Sequence, residues 1–419
     1  MKSPTKIPGT VVLASVGFLG TIAQVQADGD TPAATSAKDA IVKTATPEPR
    51  TKIYGWLETG ITLNPDGPRD NQNFGRLFDD RSNELLLNQL SVTAERALDP
   101  KATGFDWGFK AQVMYGSDAR FTHSLGIFDR VGSDRMQPDL VEAYLSLHCP
   151  MLTDGGVDFK LGKMVTLEGA ETIDPRTNFF YSHDYIFNFG VPATHTGAMA
   201  TVHATPWLDL IGGITRGVNT SIDDNNSSFG FHGGVGLNLM DGKLTALAST
   251  HIGPELPNNN HDYRYLNDLA VTWKITDKLT SVTDLNYIYD EGAKATGYGA
   301  AQSLTYQCND WLSIGIRAEV WRDQDGFFVG QYADNSDPMR VLRGDPGWML
   351  DPRTVSGGET TYGALTLGAN IKLPHGPLAG WVVRPEVRLD EALNSGTHPF
   401  GDSKNKSMLT FGIDTILTF

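Results

Sequence analysis

The connections between strand-like segments constrain the fold of this chain more than any other feature of its sequence. Every second connection is a tight turn, at Pro206-Trp207, Asp241-Gly242, Thr276-Asp277, Asn309-Asp310 and His375-Gly376-Pro377. The intervening connections are mostly long, at 65–83, 119–138, 168–193, 219–228, 254–263, 324–359 and 393–406, with a short one at 291–296. An up-and-down meander would place the turns at one end of the strands and the loops at the other. That asymmetry is typical of transmembrane β-barrels, which have short periplasmic turns and long external loops.

The segments between these connections have the two-residue period of β-strands. In one of them, Leu312, Ile314 and Ile316 alternate with Ser313 and Arg317, which places the two sets on opposite faces. Each segment is near the length that a tilted membrane strand requires. The sequence therefore predicts an all-β fold, a transmembrane antiparallel up-and-down barrel of about 16 strands. The predicted strands are 52–64, 84–98, 105–118, 139–149, 157–167, 194–205, 208–218, 229–240, 243–253, 264–275, 278–290, 297–308, 311–323, 360–373, 379–392 and 407–419.

The last predicted strand suggests how such a barrel is assembled. Leu409, Phe411 and Ile413 share one face, and the chain stops on the aromatic Phe419. This ending resembles the closing strand of bacterial outer-membrane barrels, in which a terminal Phe serves the insertion machinery. The resemblance implies outer-membrane lipids and the barrel-assembly machinery as partners.

The amino terminus has the pattern of an export signal. Lys2 and Lys6 precede an apolar run from Val11 to Ala23, and the V-Q-A sequence that follows ends at Ala27. A basic region, a short apolar region and small residues at the cleavage point are typical of a signal peptide, with a buried helix as the alternative. The predicted organisation is a signal peptide at 1–27, a flexible periplasmic tether at 28–51 and an outer-membrane barrel at 52–419.

Charge and cysteine content exclude two other classes of protein. The net charge of −15 disfavours nucleic acid as a partner. The two cysteines, Cys149 and Cys308, cannot form a disulfide framework. They end predicted strands on opposite sides of the barrel, so we expect two unpaired thiols near the periplasmic rim.

Aromatic residues near the strand ends agree with a membrane barrel, with exceptions. Amphipathic rings suit the headgroup zone, and the tryptophans cluster near the predicted turn ends. Trp56 and Trp311, however, have the wrong parity for lipid contact, and Pro385 lies inside a predicted strand, where we expect a bulge. The girdle residues are Trp56, Trp107, Trp207, Trp273, Trp311 and Trp381 at one end, and Tyr115, Tyr287 and Tyr289 at the other.

Four short motifs carry a resemblance to a known family. They are K-I-Y-G-W-L-E-T-G from residue 52, V-E-A-Y-L-S-L at 141–147, F-K-L-G-K at 159–163 and P-R-T-N-F-F-Y-S from residue 175. With them the chain resembles the β-barrel porin group called OmpL-like, over about 52–419. The resemblance implies a barrel fold and a general porin role, and it carries over no catalytic residues.

About sixteen strands would enclose a lumen wide enough for water, so function would depend on the residues that line it. Parity places several charged side chains inward, and in 384–390 their sign alternates along one wall. These charges could create a transverse field that orients polar solutes, or they could pair across strands. The lining candidates are Lys110, Lys160, Arg317, Arg384 and Arg388, with the acidic Glu58, Glu95, Glu142, Asp284, Glu319, Glu386 and Asp390.

The third long loop, 168–193, is the expected constriction. In trimeric general porins the third loop folds inward, and many aromatic residues would be awkward on a loop exposed to solvent. The alternative is a loop packed on the outer rim or at a subunit contact. Its charged candidates are Glu168, Glu171, Asp174, Arg176 and Asp184, with His183 beside them. Its aromatic residues are Phe179, Phe180, Tyr181, Tyr185, Phe187 and Phe189.

The sequence thus predicts a passive porin for small hydrophilic solutes or ions, expected not to be an enzyme. No catalytic, cofactor-binding or metal-binding residue is assigned, since Asp223 to Asn226 and His261-Asp262 have the character of polar loops. A surface adhesin with a plugged lumen is the main alternative, suggested by loop 324–359. An outer-membrane hydrolase is a weaker one, because there is no G-x-S-x-G motif. Pores of this kind often assemble as trimers, so a homotrimer is also an expectation.

Overall fold

The computed structural model describes residues 50–131, 134–333, 335–347, 350–376, 378–394 and 396–419. Within these residues, sixteen antiparallel strands form one closed barrel in which sequence neighbours pair and β1 closes on β16. The strands are β1 Thr51–Leu63, β2 Leu85–Arg96, β3 Asp106–Gly116, β4 Gln137–Cys149, β5 Val157–Val165, β6 Thr194–Thr205, β7 Leu208–Val218, β8 Gly230–Leu239, β9 Leu244–Pro254, β10 Tyr263–Lys274, β11 Leu279–Asp290, β12 Ala295–Gln307, β13 Leu312–Asp323, β14 Thr360–Lys372, β15 Val382–Ala392 and β16 Ser407–Thr418.

The predicted fold class is confirmed. Each predicted strand corresponds to one observed strand, and the ends differ by three residues or fewer. The predicted signal peptide and nearly all of the predicted tether lie outside the described residues. Short turns predominate at one end of the barrel and long loops at the other, as expected for a membrane barrel, with the short connection 291–294 as an exception at the loop end.

The loops contain short helical segments. They are α1 Ala119–Thr122, α2 Met339–Arg343, the 3₁₀ turns Pro175–Thr177 and Pro352–Thr354, and the π-turn Ile186–Gly190. None of the helices in the described part of the chain has the length and apolar character needed to cross a membrane.

The two faces of the barrel have opposite chemistry. On β14, Leu365 and Leu367 point outward and are 44% and 48% exposed, while Thr366 between them points inward and is buried. On β16, the outward Phe411 is exposed, and the inward Asp414 is buried. An exposed apolar surface around a polar interior is the reverse of a water-soluble barrel, and it is the arrangement that a surrounding bilayer requires.

An apolar core lies inside the barrel, toward the loop end. Trp321 and Tyr362 of the wall are fully buried against Tyr185 of loop 168–193, Phe74 of loop 64–84 and Phe400 of loop 393–406. The rings of Tyr185 and Tyr362 stack at 5.1 Å. Several loops therefore pack into the mouth of the barrel.

Some finer expectations need correction, and others are confirmed. Trp56 points inward and is buried, where its Nε1 donates to Gln89 at 3.0 Å, so it is not a girdle residue. The prediction of a bulge at Pro385 was wrong. Strand β15 keeps one register with β16 through the proline, and only its pairing with β14 is interrupted there. Proline lacks the donor for that side of the ladder, which explains the gap. Cys149 and Cys308 are unpaired, as expected.

A charge on the outer face should destabilise the barrel. We predict that Leu367→Arg, at the middle of β14, lowers the free energy of unfolding by about 2–4 kcal/mol, because a guanidinium near the bilayer centre loses its hydration. Denaturant titration in lipid vesicles measures this, and Leu367→Ala separates the charge from the lost side chain. Equal stability of the two variants would contradict a lipid-facing Leu367.

Candidate functional site: the lumen and loop 168–193

Loop 168–193 folds back against the inner wall of the barrel. The backbone N–H groups of Tyr181 and Ser182 donate to the Glu386 carboxylate on β15, at 3.0 and 3.2 Å. The N–H of Tyr185 donates to Glu319 on β13 at 2.7 Å. Buried backbone donors need acceptors, and the wall carboxylates supply them.

Arg384 of β15 satisfies the loop's carbonyl groups in a complementary way. Its Nη1 donates to the carbonyl oxygens of Pro175, Asn178 and Phe180, at 2.9, 2.8 and 3.1 Å. The rigid guanidinium fork can bind several acceptors at once, which a lysine could not do in the same geometry. One inward arginine thus holds a six-residue stretch of the loop on the wall.

Glycines of the inner wall leave room for the aromatic rings of the loop. A Cβ atom at Gly60 or Gly315 would lie 2.5 Å from the ring of Tyr181 or Phe179, and one at Gly368 would lie 3.0 Å from Phe180. The rings therefore lie directly on the backbone of β1, β13 and β14. Inward glycines opposite an aromatic-rich loop were a signal in the sequence that strand parity alone could have exposed.

The first residues of the loop are attached to the other side of the barrel. The N–H of Gly169 donates to Asp268 on β10 at 2.9 Å, and the N–H of Ala170 donates to Asp284 on β11 at 2.7 Å. Asn286 also donates to Asp268, at 2.9 Å. The loop thus leaves the β5 side, contacts β10 and β11, and reaches β13 to β15 and β1.

Most of the inward charged candidates are held in ion pairs. Of the two interpretations, a transverse field or pairing across strands, the geometry favours pairing. Arg317 contacts Glu171 at 2.5 Å, and Lys110 contacts Glu142 at 2.5 Å. The other pairs are Arg384 with Asp414 at 2.6 Å and with Glu58 at 2.9 Å, Arg388 with Asp390 at 2.9 Å and with Glu319 at 3.0 Å, and Arg176 with Asp174 at 2.6 Å.

Two acidic groups of the loop have opposite electrostatic environments. Burial opposes ionisation of Glu171, but the adjacent Arg317 and His183 outweigh it and lower the pKa of Glu171 to about 2. Burial, with Glu171 and Glu319 nearby, raises the pKa of Asp184 above its usual range. The Asp184 carboxylate accepts from the Phe187 N–H at 2.8 Å, so it caps the turn that follows.

The remaining candidates occupy different positions. Arg176 lies over the Trp56 ring at 4.1 Å, and the exposed Lys160 lies over the Tyr144 ring at 5.1 Å. Glu168 is buried at the root of the loop. The structure thus brings the loop residues Glu171 and Asp184 together with Arg317, Glu319, Arg384, Glu386, Arg388 and Asp390, and leaves Lys110, Glu142 and Lys160 apart from this group.

Solvent reaches the inner wall mainly from the turn end. Lys160, Lys274 and Lys372, near the turn ends of their strands, are exposed. In the middle of the barrel, the inward Asp284 and Arg317 are buried. Solvent therefore contacts the inner wall near the turns, whereas inward residues that face loop 168–193 are buried.

The sequence-based reasoning missed three groups of residues at this site. Loop 64–84 also enters the lumen, and its Arg76 contacts Asp79 at 2.6 Å and Asp390 at 2.5 Å. Asp268, which holds the loop root, had the inward parity that could have identified it. The third group is a set of buried histidines, His195, His232 and His251.

Comparison with protein families assigns the chain to one of them. A family model described as "Putative beta-barrel porin-2, OmpL-like" matches residues 50–419. The chain belongs to this family of β-barrel porins, and the resemblance inferred from its motifs is confirmed. No curated protein sequence matches it.

The fold is also found in a solved outer-membrane channel, and two further solved structures have lower similarity. The outer membrane channel DcaP of Acinetobacter baumannii is similar with a TM-score of 0.53 and 12% identity, covering 88% of this chain and 97% of that one. OmpT of Vibrio cholerae has a TM-score of 0.48 at 12% identity, covering 88% and 97%, and OprD of Pseudomonas aeruginosa has 0.46 at 12%, covering 88% and 95%. The fold is that of a porin-like outer-membrane barrel.

Removing one wall acceptor should loosen the loop. We predict that Glu386→Ala increases amide hydrogen exchange across 179–189, because two buried N–H groups lose their acceptor at a cost of about 1–3 kcal/mol. The exposed Glu391 on the outer face of β15 offers a matched control, Glu391→Ala. Unchanged exchange in Glu386→Ala would show that the carboxylate does not hold the loop.

Proposed function

We propose that the protein is a narrow passive channel that lets small hydrophilic solutes or ions cross the outer membrane. The observation that carries the proposal is the attachment of loop 168–193 across a polar lumen, from Asp268 on β10 to Glu386 on β15. A closed barrel of this size without such a loop would enclose a wide aqueous pore. The loop would set the width of the passage, and the family and fold support a channel role.

Selectivity would depend on small movements of the side chains that are packed where loop 168–193 crosses the lumen. The arginines at the crossing are held by carboxylates, so a passing solute meets paired charges and hydrogen-bonding groups rather than a free positive wall. A neutral or dipolar solute could exchange hydrogen bonds with these groups without a large desolvation penalty. Exclusion by size would therefore be stronger than exclusion by charge.

The route to the membrane is part of the same proposal. The basic and apolar amino terminus would direct export as a cleaved signal peptide, and the turn end of the barrel would face the periplasm. The Phe419 terminus would be the signal for insertion by the assembly machinery. The inward charges would then line the passage, and no enzymatic step is needed to explain their presence.

The test of the channel is conductance of the refolded barrel in planar bilayers, with a salt gradient to read ion preference. We predict discrete steps for the wild-type protein and larger steps for the double variant Phe180→Ala/Tyr181→Ala, whose rings lie on the inner wall at Gly368 and Gly60.

The control removes two rings from the outer face. Tyr115→Ala/Phe411→Ala changes exposed residues that point outward on β3 and β16 and should leave the step size unchanged. Absence of any steps from a correctly inserted wild-type barrel would overturn the channel proposal in favour of a plugged barrel. Conductance steps of equal size in the two double variants would show that loop 168–193 does not set the width of the passage.

We also propose that the barrel associates with further copies of itself, a trimer being the expected state, through the outer face of β9 to β12. Gln302 points outward in mid-strand and hydrogen-bonds Thr283 at 2.6 Å and Ser281 at 2.9 Å. Asn267 and Thr250 form a second outward pair at 3.1 Å. Polar groups facing lipid are costly, whereas between two barrels they can exchange hydrogen bonds.

The assembly is tested by one substitution on this face. We predict that Gln302→Leu shifts the protein toward monomer in mild detergent, as measured by light scattering, because an interface amide is lost. Leu389→Ala, on the outer face of β15 outside this surface, is the control for a lipid-facing change. A monomeric wild-type protein would contradict the assembly without affecting the channel proposal.

A further inference from the structure

A buried cluster of histidines lies where loop 168–193 leaves the wall. It joins Glu168 from the loop, His195 from the start of β6 and His232 from β8. One side-chain ligand atom from each lies within 4.8 Å of the other two, and all three residues are 2% exposed or less. His251 of β9 pairs directly with His232 in the sheet, and its ring stacks with that of His195 at 4.9 Å.

Hydrogen bonds fix which nitrogen of each imidazole carries the proton. Nδ1 of His195 lies 3.1 Å from the carbonyl oxygen of Gly217, and Nδ1 of His232 lies 3.1 Å from that of Thr250. A carbonyl oxygen only accepts, so both Nδ1 atoms must be protonated. Nε2 of each ring then keeps its lone pair. A backbone carbonyl that orients a histidine in this way is the usual second partner of a metal-binding imidazole.

The two lone pairs have only weak partners within the protein. Nε2 of His195 lies 3.2 Å from the Thr166 hydroxyl, and Nε2 of His232 receives the Leu167 N–H at 3.3 Å. Glu168 adds an unsatisfied oxygen. Its Oε2 accepts from the Thr166 hydroxyl at 3.2 Å, but its buried Oε1 has no hydrogen-bond partner. A buried carboxylate oxygen without a hydrogen-bond partner needs an explanation, and a bound ion supplies one.

We propose that Glu168, His195 and His232 bind one divalent transition-metal ion of the zinc class. Two imidazoles and one carboxylate are a common ligand set for Zn²⁺ and leave a fourth position open. Imidazole nitrogens select zinc, copper and nickel over calcium and magnesium, which prefer oxygen ligands. Bonds of about 2.0–2.2 Å to a tetrahedral ion hold ligand atoms roughly 3.4 Å apart, so the distances between the ligand atoms must shorten by up to about 1.4 Å.

An ion bound at this site would fix the root of loop 168–193 to the wall of the barrel. Glu168 directly precedes Gly169 and Ala170, whose N–H groups donate to Asp268 and Asp284. A bound ion would add a bond from the root of the loop to β6 and β8, so the loop would be held on both sides of its entry into the lumen. That consequence rests on the proposed channel function, but metal binding itself does not.

The experiment is a zinc titration of the refolded full-length barrel in detergent, after treatment with a chelator. We expect one Zn²⁺ per chain by calorimetry and no saturable binding of Ca²⁺. Glu168→Gln keeps the size of the side chain, and His232→Gln removes one nitrogen ligand. Each should weaken zinc binding by about 100-fold or more, since even loss of an orienting partner costs about 10–100-fold. His261→Ala, in an exposed loop, is the control and should bind like wild type.

A spectroscopic measurement keeps the test independent of folding in the variants. Co²⁺ bound to wild-type protein should show the intense visible absorption of a four- or five-coordinate ion, and Zn²⁺ should displace it. Wild-type protein that binds no zinc would overturn the proposal, and so would equal affinity in wild type and folded Glu168→Gln. Neither result bears on the conductance measurement, which tests the channel proposal separately.

Discussion

Closure of the sheet between β1 and β16 is the constraint on which the rest of the structure depends. In the hydrocarbon region no water is present to pair with backbone N–H and C=O groups, so an open edge would cost several kcal/mol per group. Here Trp56 to Leu63 of β1 pair with Thr418 to Phe411 of β16, and the Gly55 N–H donates to the Phe419 carbonyl at 2.8 Å. The carboxy-terminal strand therefore both completes the ladder and defines the lumen.

Once the barrel is closed, its interior becomes the place where charges can be accommodated. Alternation sends Arg384, Glu386 and Arg388 inward, where they bind carboxylates and the backbone of loop 168–193. A buried guanidinium is stable only with close partners, and the loop provides some of them. The inner wall and the loop thus satisfy each other, and the same contacts that stabilise the loop would determine how much of the lumen remains for solutes.

The positions of the strands could be predicted because alternation is a local property. An apolar exterior and a polar interior select side chains residue by residue, so the faces of Leu312 to Arg317 can be assigned without knowledge of the neighbouring strands. The inward fold of loop 168–193 was also predictable in outline, since its aromatic residues needed a surface to cover them.

The pairings inside the barrel could not be predicted in the same way. The contact of Arg384 with Glu58 joins residues 326 positions apart and depends on the closing register of β1, β16 and β15. The histidine cluster depends on the alignment of His232 with His251 and on the loop that delivers Glu168. Both are consequences of strand register. Alternation shows which face a residue occupies, but it does not show which residue of the neighbouring strand lies opposite.

The most direct test of the central claim is the entry of solutes into liposomes that contain the wild-type barrel. The rate of swelling would be recorded for a series of neutral hydrophilic solutes of increasing size. A narrow water-filled passage beside loop 168–193 predicts rapid entry of the smallest solutes and a sharp cut-off within the series. Swelling no faster than that of protein-free liposomes for every solute, with the barrel shown to be folded and inserted, would contradict a channel.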